Sequence, residues 1–395
     1  MKICVIVPTH WQAVMGGSQY QAKLLIEHLA ASGEHEIYYL ARQVPEALGC
    51  EKTHRVIRIA PARGIGRWGK LTDVFDLVRH LERIGPDAVY QRVGCAYTGA
   101  AAYYCKKHDK RCVWHVAHDQ EVTPFAWRLT RHALFDYVDK RILEYGIRNA
   151  SDIVTQTRQQ AELLRRHYGR GPSAIVPNYH PLPARRPKKS RPITVAWIAN
   201  LKPWKRPEVF LRLARDLSGM KDVQFVMIGA PRGNPAWCRR IRHEAERLPN
   251  LRFLGGQPQD RVNEVLSEAH VFVNTSTQEG FANTFIQAWQ RCVPVLSLSV
   301  NPDGLLDEGR IGICAGSYAN LARELVRLIR DEPLRERMGE AARLHAAATY
   351  ADRAHLDTLA RLITGAEGIA PETREKYPQT SEAPRHSALE RTMPR

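Results

Sequence analysis

The feature that most constrains the fold of this 395-residue chain is a repeated alternation of short β-rich apolar runs with helix-length amphipathic stretches. Seven such runs precede residue 180: 3–7, 37–40, 56–59, 88–90, 112–114, 153–155 and 174–176. Helical periodicity fills the intervals, for example over residues 19–31 and 71–83. The alternation predicts an α/β fold, in which helices cover a parallel sheet.

Residues 181–192 interrupt this pattern with four prolines and five positive charges, a composition typical of a stiff linker. The alternation then restarts with runs at 193–198, 223–228, 251–254, 271–273 and 293–296, followed by a purely helical pattern over 317–364. We therefore predict two Rossmann-like doubly wound domains, 1–180 and 193–365, facing a central cleft where ligands bind. Residues 366–395 lack apolar periodicity and are predicted to form a disordered tail.

The chain carries 58 Lys and Arg against 41 Asp and Glu, and the surplus lies in the first half and the linker. This bias favours an anionic partner: nucleic acid, an acidic membrane surface or a phosphorylated substrate. The eight cysteines show no C-x-x-C spacing, so neither a zinc knuckle nor a redox pair is indicated. Without a long apolar run or a secretory signal, we expect a cytoplasmic protein.

The most informative stretch follows the run at 271–273. Glu279, Gly280 and Phe281 form a turn, and a helix opens with Asn283 or Thr284 near its cap. Free backbone N–H groups at a helix start suit a diphosphate, and Glu279 is placed to accept hydrogen bonds from sugar hydroxyls. The alternative is an ordinary capped helix preceded by a solvated Glu.

This stretch resembles the donor-binding motif of retaining glycosyltransferases of family 4, which have the GT-B fold. The motif contains Glu-Gly-Phe and a second acid eight residues after the first. Glu279, Gly280, Phe281 and Asn283 match it, whereas Gln287 stands where the second Glu is expected. The resemblance implies that Glu279 contacts the donor sugar and that Gln287, which donates and accepts hydrogen bonds, holds the ribose.

A second match follows the first run of the second domain. The family shows an Arg and, five residues later, a Lys, which together grip the departing diphosphate. Lys205 matches the Lys, but Asn200 replaces the Arg, and Lys202 or Arg206 is the expected source of the missing charge. On the alternative interpretation, these cations are solvated residues before a Pro-initiated helix.

Two weaker matches lie in the first domain. Gly16 and Gly17 resemble the glycines of the family's first βα turn, whose backbone approaches the donor phosphates. His118 is the best match to a loop His that approaches the donor sugar. His115 and His118 lack further ligands at useful spacing, so a metal site is not expected.

By resemblance, the chain transfers a sugar from a nucleoside diphosphate donor, UDP or GDP, to an acceptor hydroxyl with retention, and needs no metal or other cofactor. The leaving phosphate takes the acceptor proton. The expected catalytic residues are His118, Lys205 and Glu279. The expected donor-binding residues are Gly16, Gly17, Asn200, Lys202, Arg206, Gly280, Phe281, Ala282, Asn283, Thr284 and Gln287. The expected acceptor is a glycan or a lipid-linked sugar of cell-surface polysaccharide or glycolipid assembly.

A helix predicted over residues 126–149 carries Trp127, Leu134, Val138 and Ile142 on one stripe. Such helices usually cover a sheet. Its basic residues Arg128, Arg131, Lys140 and Arg141, together with Lys106, Lys107, Lys110 and Arg111, offer a surface for anionic lipid, so peripheral binding to the inner face of the membrane is a second hypothesis.

Three other functions have weaker support in the sequence. Residues 64–69 fit the dinucleotide pattern G-x-G-x-x-G, but they follow the wrong strand and no ribose-binding acid is found downstream, so a surface loop is expected. A GT-B nucleotide-sugar epimerase is the nearest alternative enzyme. A nucleic-acid or polyanion-binding protein rests on charge alone, because no basic run is interleaved with stacking aromatics.

Overall fold

The computed structural model describes residues 1–45, 48–59, 69–126, 132–232 and 234–366. Within these described ranges, the first lobe, residues 1–180, contains seven strands and five helices, and a helix separates most successive strands. They are β1 (Lys2–Ile6), α1 (Gly17–Ala30), β2 (Glu36–Ala41), β3 (Arg55–Arg58), α2 (Gly69–Ile84), β4 (Ala88–Arg92), α3 (Ala96–Lys107), β5 (Arg111–His115), α4 (Ala133–Asn149), β6 (Asp152–Thr155), α5 (Arg158–Tyr168) and β7 (Ala174–Ile175).

The second lobe, residues 193–350, repeats the arrangement. Its elements are β8 (Ile193–Ile198), α6 (Pro207–Asp216), β9 (Val223–Ile228), α7 (Pro235–Glu246), β10 (Leu251–Phe253), α8 (Gln259–Glu268), β11 (Val271–Asn274), α9 (Asn283–Trp289), β12 (Val295–Ser297), β13 (Gly312–Cys314), α10 (Tyr318–Arg330) and α11 (Glu332–Tyr350). A last helix, α12 (Ala354–Thr364), follows. Within the described ranges, no helix combines the length and apolarity needed to span a bilayer.

Both sheets are parallel and share one topology. The first has the order β3-β2-β1-β4-β5-β6-β7, and the second has the order β10-β9-β8-β11-β12-β13. In each sheet the second and third strands are added on one side of the first strand, and all later strands are added on its other side. The direction of winding therefore reverses between β1 and β4 and between β8 and β11. Such a switch point leaves a crevice at the carboxyl ends of the strands. The predicted pair of doubly wound sheets is confirmed.

Each sheet is buried on both faces, which explains the continuous apolar runs. In the first lobe one face packs around Leu77 and Leu143 and the other around Leu25 and Ile26. Helix α12 covers this second face of the first sheet through Leu356, Leu359 and Ile363. Its packing therefore belongs to the first lobe, although the sequence boundaries group residues 354–364 with the second domain.

The predicted helix over 126–149 starts too early. Ala126 is not helical, residues 127–131 lie outside the described ranges, and α4 begins at Ala133. The predicted stripe is also wrong, because Leu134 is 59% exposed. Helices α3 and α4 meet through Gly99 and Gly146. This close contact turns a different stripe inward, made of Phe135, Leu143 and Ile147.

Two further elements differ from the sequence-based expectation. Strand β13 is not predicted, because it has only three residues and begins at Gly312, which weakens a β pattern. A Cβ on Gly312 would lie 2.4 Å from the Val295 carbonyl oxygen, so close strand packing explains the glycine. Helix α9 begins at Asn283, and its N-cap residue is Ala282, without a side-chain cap. The helix therefore opens at Asn283, beside its cap, as the sequence predicts, but no side chain supplies the capping hydrogen bond.

Candidate functional site

A cleft of about 530 Å³ lies between the two lobes, where the switch points of both sheets face each other. The loops after β1, β4, β5 and β6 line it from the first lobe, and the loops after β8, β9, β10 and β11 line it from the second. Loops at the carboxyl ends of parallel strands therefore supply most of the wall, as expected for a ligand site of this topology, and helices α1, α8 and α9 add Tyr20, Val262 and Gln287.

Lys205 and Glu279 meet in this cleft although 74 positions separate them in the chain. Lys205 ends a 3-10 turn that follows β8, and Glu279 lies in the turn that follows β11. The Lys205 ammonium donates a hydrogen bond to Oε1 of Glu279, and the Ser276 hydroxyl donates to the same oxygen over 2.8 Å. Both charged side chains are mostly buried, at 17% and 14% exposure.

A chain of hydrogen bonds from the core fixes this pair. The indole Nε1 of Trp197, in β8, donates to the Thr275 hydroxyl over 2.9 Å. That hydroxyl donates in turn to the Lys205 carbonyl oxygen over 2.6 Å. The backbone of Lys205 is therefore tied to the end of β11, and the ion pair is held by rigid elements.

The turn that carries Glu279 rests on the first lobe. A Cβ placed on Gly280 would lie 2.3 Å from the Ala117 carbonyl oxygen and 2.9 Å from the His118 Cα. Next to it, Gln120 donates to the Gln278 side-chain oxygen over 2.7 Å. Gly280 is thus required because the two backbones touch, and the contact brings the His118 loop beside the ion pair.

His118 lies in the loop after β5 and caps a short 3-10 turn. Its Nδ1 accepts a hydrogen bond from the Gln120 backbone N–H over 3.1 Å, so the neutral ring carries its proton on Nε2. Burial lowers the pKa of His118, nearby Lys205 lowers it further, and Glu279 acts in the opposite direction. The imidazole is accordingly neutral near pH 7 and has Nε2–H as its free donor.

Two buried charged residues support the His118 loop. The Glu121 carboxylate accepts a hydrogen bond from the Ala117 backbone N–H over 2.8 Å, and the Lys140 ammonium donates to the Glu121 carbonyl oxygen over 2.8 Å. Burial raises the pKa of Glu121 to about 7 and lowers the pKa of Lys140 to about 8. Lys140 is therefore an internal support of the loop and not part of a basic lipid-facing surface, contrary to the sequence-based hypothesis.

Asn283, the first residue of α9, joins the second lobe to the first. Its Oδ1 accepts hydrogen bonds from His180 Nε2 over 2.6 Å and from Gln21 Nε2 over 3.4 Å. On the opposite side of the cleft, a Cβ on Gly17 would lie 2.0 Å from Asn283 Nδ2. The glycine at position 17 thus leaves room for the Asn283 side chain.

Two family descriptions match this chain in succession. Residues 15–180 match "Glycosyltransferase Family 4", and residues 181–345 match "Glycosyl transferases group 1". The chain belongs to glycosyltransferase family 4. The matches join at the proline-rich linker, so each family description corresponds to one lobe.

Individual relatives support this assignment. A D-inositol 3-phosphate glycosyltransferase of Corynebacterium diphtheriae is 28% identical over 238 residues, which cover 53% of this chain and 55% of that protein. The chain spans about half the length of the curated relatives that it matches.

Solved structures show the same architecture. Anabaena HepE in complex with UDP and glucose superposes with a TM-score of 0.69 and 16% identity, covering 93% of this chain and all 100% of that one. WaaG, a glycosyltransferase involved in lipopolysaccharide biosynthesis, superposes with a TM-score of 0.72 and 16% identity, covering 92% of this chain and 100% of that one. At this identity the likeness shows the fold, which is GT-B.

Most of the residues that the family motif indicated line the cleft of this family 4 protein. They are Gly16, Gly17, His118, Asn200, Lys205, Glu279, Gly280, Phe281, Ala282, Asn283, Thr284 and Gln287. Lys202 and Arg206 do not line it. The Lys202 ammonium instead lies over the Trp204 ring, 4.8 Å from its centroid, and Arg206 adopts a left-handed conformation between the 3-10 turn and α6.

Phe281 and Gln287 are buried at the back of the site. Phe281 packs its ring 5.3 Å from the ring of Tyr350 and 6.3 Å from that of Trp289. Gln287 Nε2 donates to Asn263 Oδ1 over 3.3 Å, and the Gln287 side chain is 5% exposed. Phe281 therefore anchors the turn, while the Gln287 amide is held by α8.

The cleft contains residues that the motif comparison missed. The first lobe adds Arg92, Gln156, Asn178 and His180, and the second adds Arg232. Arg92 and Gln156 share one sequence signal, because each stands at or next to the carboxyl end of an apolar strand. Within the described part of the chain, no three His, Cys, Asp or Glu side chains come together in a group that could hold a metal ion.

Proposed function

We propose that this protein transfers a sugar from a nucleoside diphosphate sugar to an acceptor hydroxyl, with retention at the anomeric carbon. The observation that carries the proposal is the Lys205–Glu279 pair, which is held at the switch point of the second sheet and faces His118 across the cleft. An ammonium, a carboxylate and a neutral imidazole at one crevice match the needs of a diphosphate leaving group and a polyhydroxy sugar.

We assign the donor diphosphate to Lys205 and to the turn at Gly16 and Gly17. An ammonium has three N–H donors, and Glu279 takes one of them, which leaves donors for phosphate oxygens. Across the cleft, the backbone at Gly16 and Gly17 begins α1 and adds N–H groups. We assign the ribose to Gln287. UDP is bound by the HepE structure, which supports a uridine nucleotide here, with GDP as the other possibility.

The sugar is assigned to the space between His118 and Glu279. The Nε2–H of His118 donates to one sugar hydroxyl, and the Glu279 carboxylate accepts from others. In the transfer step the bond between the anomeric carbon and the phosphate oxygen breaks, and a bond to the acceptor oxygen forms on the same face. The acceptor proton moves to the leaving diphosphate, so no protein nucleophile or metal is needed.

The proposed acceptor is a glycan or a lipid-linked sugar of cell-surface polysaccharide or glycolipid assembly. The role of WaaG in lipopolysaccharide biosynthesis supports this setting. WaaG and the Corynebacterium diphtheriae relative are both named as glycosyltransferases, which gives no support to the epimerase alternative. Contact with anionic lipid stays a prediction. Among its proposed cations, Lys107 and Arg111 pair with Glu82 and Asp152 in the structure. Flotation with anionic and neutral vesicles tests it, and equal recovery would contradict it.

The ion pair provides the direct test of the transfer reaction. Thermal shift with UDP, GDP and their sugars identifies the nucleotide, and NMR of the product reports the anomeric configuration. We expect Lys205→Met and Glu279→Gln to reduce transfer by at least about 10²-fold, because the leaving group and the sugar lose their charged partners. Circular dichroism should show an unchanged fold.

An exposed lysine–glutamate pair on the first lobe supplies the matched control. Lys23 Nζ lies 3.7 Å from Glu27 Oε1 on α1, and neither residue lines the cleft. Lys23→Met and Glu27→Gln should keep wild-type transfer. The proposal is wrong if both cleft variants turn over at the rate of these controls, or if no nucleoside diphosphate raises the melting temperature.

A further inference from the structure

Arg92 is a buried cation at the floor of the cleft. It ends β4 at the switch point of the first sheet, lines the cleft and is only 2% exposed. The guanidinium Nη2 donates to Asn178 Oδ1 over 2.6 Å, and Nη1 lies 2.9 Å from His115 Nδ1. The Tyr90 hydroxyl lies 3.4 Å from Nη1. Asn178 and Tyr90 bear no charge here.

The fourth group of the cluster, His115, is neutral as well. Burial and the neighbouring Arg92 hold the pKa of His115 well below its ordinary value. His115 Nδ1 also lies 2.8 Å from the Tyr90 hydroxyl, so the ring nitrogen that faces Arg92 acts as an acceptor. The guanidinium is therefore surrounded by dipoles, and its charge is not neutralised by its direct neighbours.

No carboxylate oxygen of the described residues forms an ion pair with Arg92 within 4.0 Å, whereas Arg42, elsewhere in the same lobe, pairs with the buried Asp73 over 3.1 Å. Glu121 is near enough for Arg92 to lower its pKa. The Glu121 carboxylate is already used, however, by the backbone N–H groups of Ala117 and Gly94. Arg92 thus has no direct counterion in the part of the chain that the structure describes.

A buried charge without a counterion raises the free energy of the folded protein. A ligand that brings the opposite charge would compensate the Arg92 guanidinium. Two polar atoms at this part of the cleft wall, Arg92 Nε and Gln156 Oε1, also have no hydrogen-bond partner among the described residues. The guanidinium provides bidentate donors that match an oxyanion, and the amide oxygen accepts from a hydroxyl.

We infer that Arg92, with Asn178 and Gln156, forms an acceptor subsite that binds an oxyanion, a phosphate or a carboxylate, on the acceptor molecule. The inference rests on the proposed function only in its assignment of the donor to the Lys205 side. It narrows the acceptor to an anionic glycan or glycosyl phosphate. A neutral sugar would leave the Arg92 charge uncompensated when the lobes close around it.

Inorganic phosphate and acetate are the probes for this subsite. Melting temperatures are measured at constant ionic strength in chloride, phosphate or acetate, with and without saturating UDP. We expect the preferred anion to raise the melting temperature of the UDP-bound wild type by about 2 °C. The larger response, to phosphate or to acetate, identifies the oxyanion.

Arg92→Gln should reduce this rise at least fourfold while keeping amide donors for Asn178. Arg79→Gln is the matched control, because Arg79 is an exposed arginine of the same lobe that pairs with Asp76 over 3.1 Å. A second variant, Asn178→Asp, keeps Arg92 and supplies an internal carboxylate at the 2.6 Å position. We expect it to raise the melting temperature of the ligand-free protein and to abolish the anion response.

The outcomes separate this inference from the proposed function. A response to UDP without an Arg92-dependent anion response overturns the subsite and leaves the donor assignment intact. An Arg92-dependent anion response that disappears when UDP is added places the donor diphosphate at Arg92, which also overturns the acceptor subsite. An anion response without any nucleotide response overturns the proposed function instead.

Discussion

The contact between Gly280 and the first lobe leads to the sharpest prediction of the structure. In Gly280→Ala the new Cβ would lie 2.3 Å from the Ala117 carbonyl oxygen, whereas ordinary contact begins at 3.4 Å. The neighbour is backbone, which does not rotate away as a side chain does. The lobes must therefore separate locally by about 1.1 Å, the difference between these two distances.

This displacement acts on catalysis more than on stability. His118 follows Ala117 directly, so the imidazole moves away from the Lys205–Glu279 pair by a similar distance. Misplacement of about 1 Å at a reacting centre costs about 10²-fold in rate, or about 2.7 kcal/mol of transition-state stabilisation. The contact joins two lobes and is not inside either core, so the melting temperature should fall by less than about 3 °C.

The assay compares Gly280→Ala with Gly219→Ala, the same substitution at a second-lobe glycine where an added Cβ would meet no described atom within 4 Å. Release of nucleoside diphosphate gives the rate, and calorimetry gives nucleotide affinity. We expect a loss of kcat with retained nucleotide binding, because the residues of the second lobe keep their mutual geometry. Turnover of Gly280→Ala within about threefold of Gly219→Ala would refute the reasoning.

Three further predictions concern stability. Asp303 accepts hydrogen bonds from the Arg158 and Gln159 backbone N–H groups over 2.9 Å and so caps α5 from the other lobe. Asp303→Ala should therefore lower the free energy of unfolding by about 1 kcal/mol in urea titrations. Gly99→Ala should cost about 1–3 kcal/mol by the same measurement, because its Cβ would lie 2.3 Å from the α4 backbone. Burial lowers the pKa of His180 to about 4, so the folded state favours the neutral ring. This contribution to the free energy of unfolding is fully present above pH 6.5, and up to about 3 kcal/mol of it is lost as the pH falls towards 4. His180→Gln should weaken this pH dependence in the same titrations.

The sequence predicted the two parallel sheets because strand burial on both faces produces continuous apolar runs that alternate with helical periods. It did not predict β13, whose three residues are too few for a pattern. It also grouped α12 with the second lobe, because chain order gives no sign that Leu359 and Ile363 pack on the first sheet. Tertiary packing, not local propensity, decides both features.

The motif positions of the site were predictable for a related reason. A ligand crevice lies at strand ends, so the turn after an apolar run indicates Glu279, whereas Lys205 is indicated by the resemblance to the family motif. Lys140 was misjudged, because nothing in the sequence distinguishes a lysine that supports an internal loop from one on the surface. Arg92 was missed because a single charge at a strand end becomes informative only when its neighbours are known to be uncharged.

The contacts that close the cleft are made by the same residues that form the site. Gly280 touches the His118 loop, Gln278 bonds to Gln120, and Asn283 bonds to His180. His118 and the Lys205–Glu279 pair lie on different lobes, so opening the lobes would separate these proposed catalytic groups as well as expose them. Closure and assembly of the site are therefore one event, and a substrate that bridges the lobes stabilises the reactive arrangement by binding.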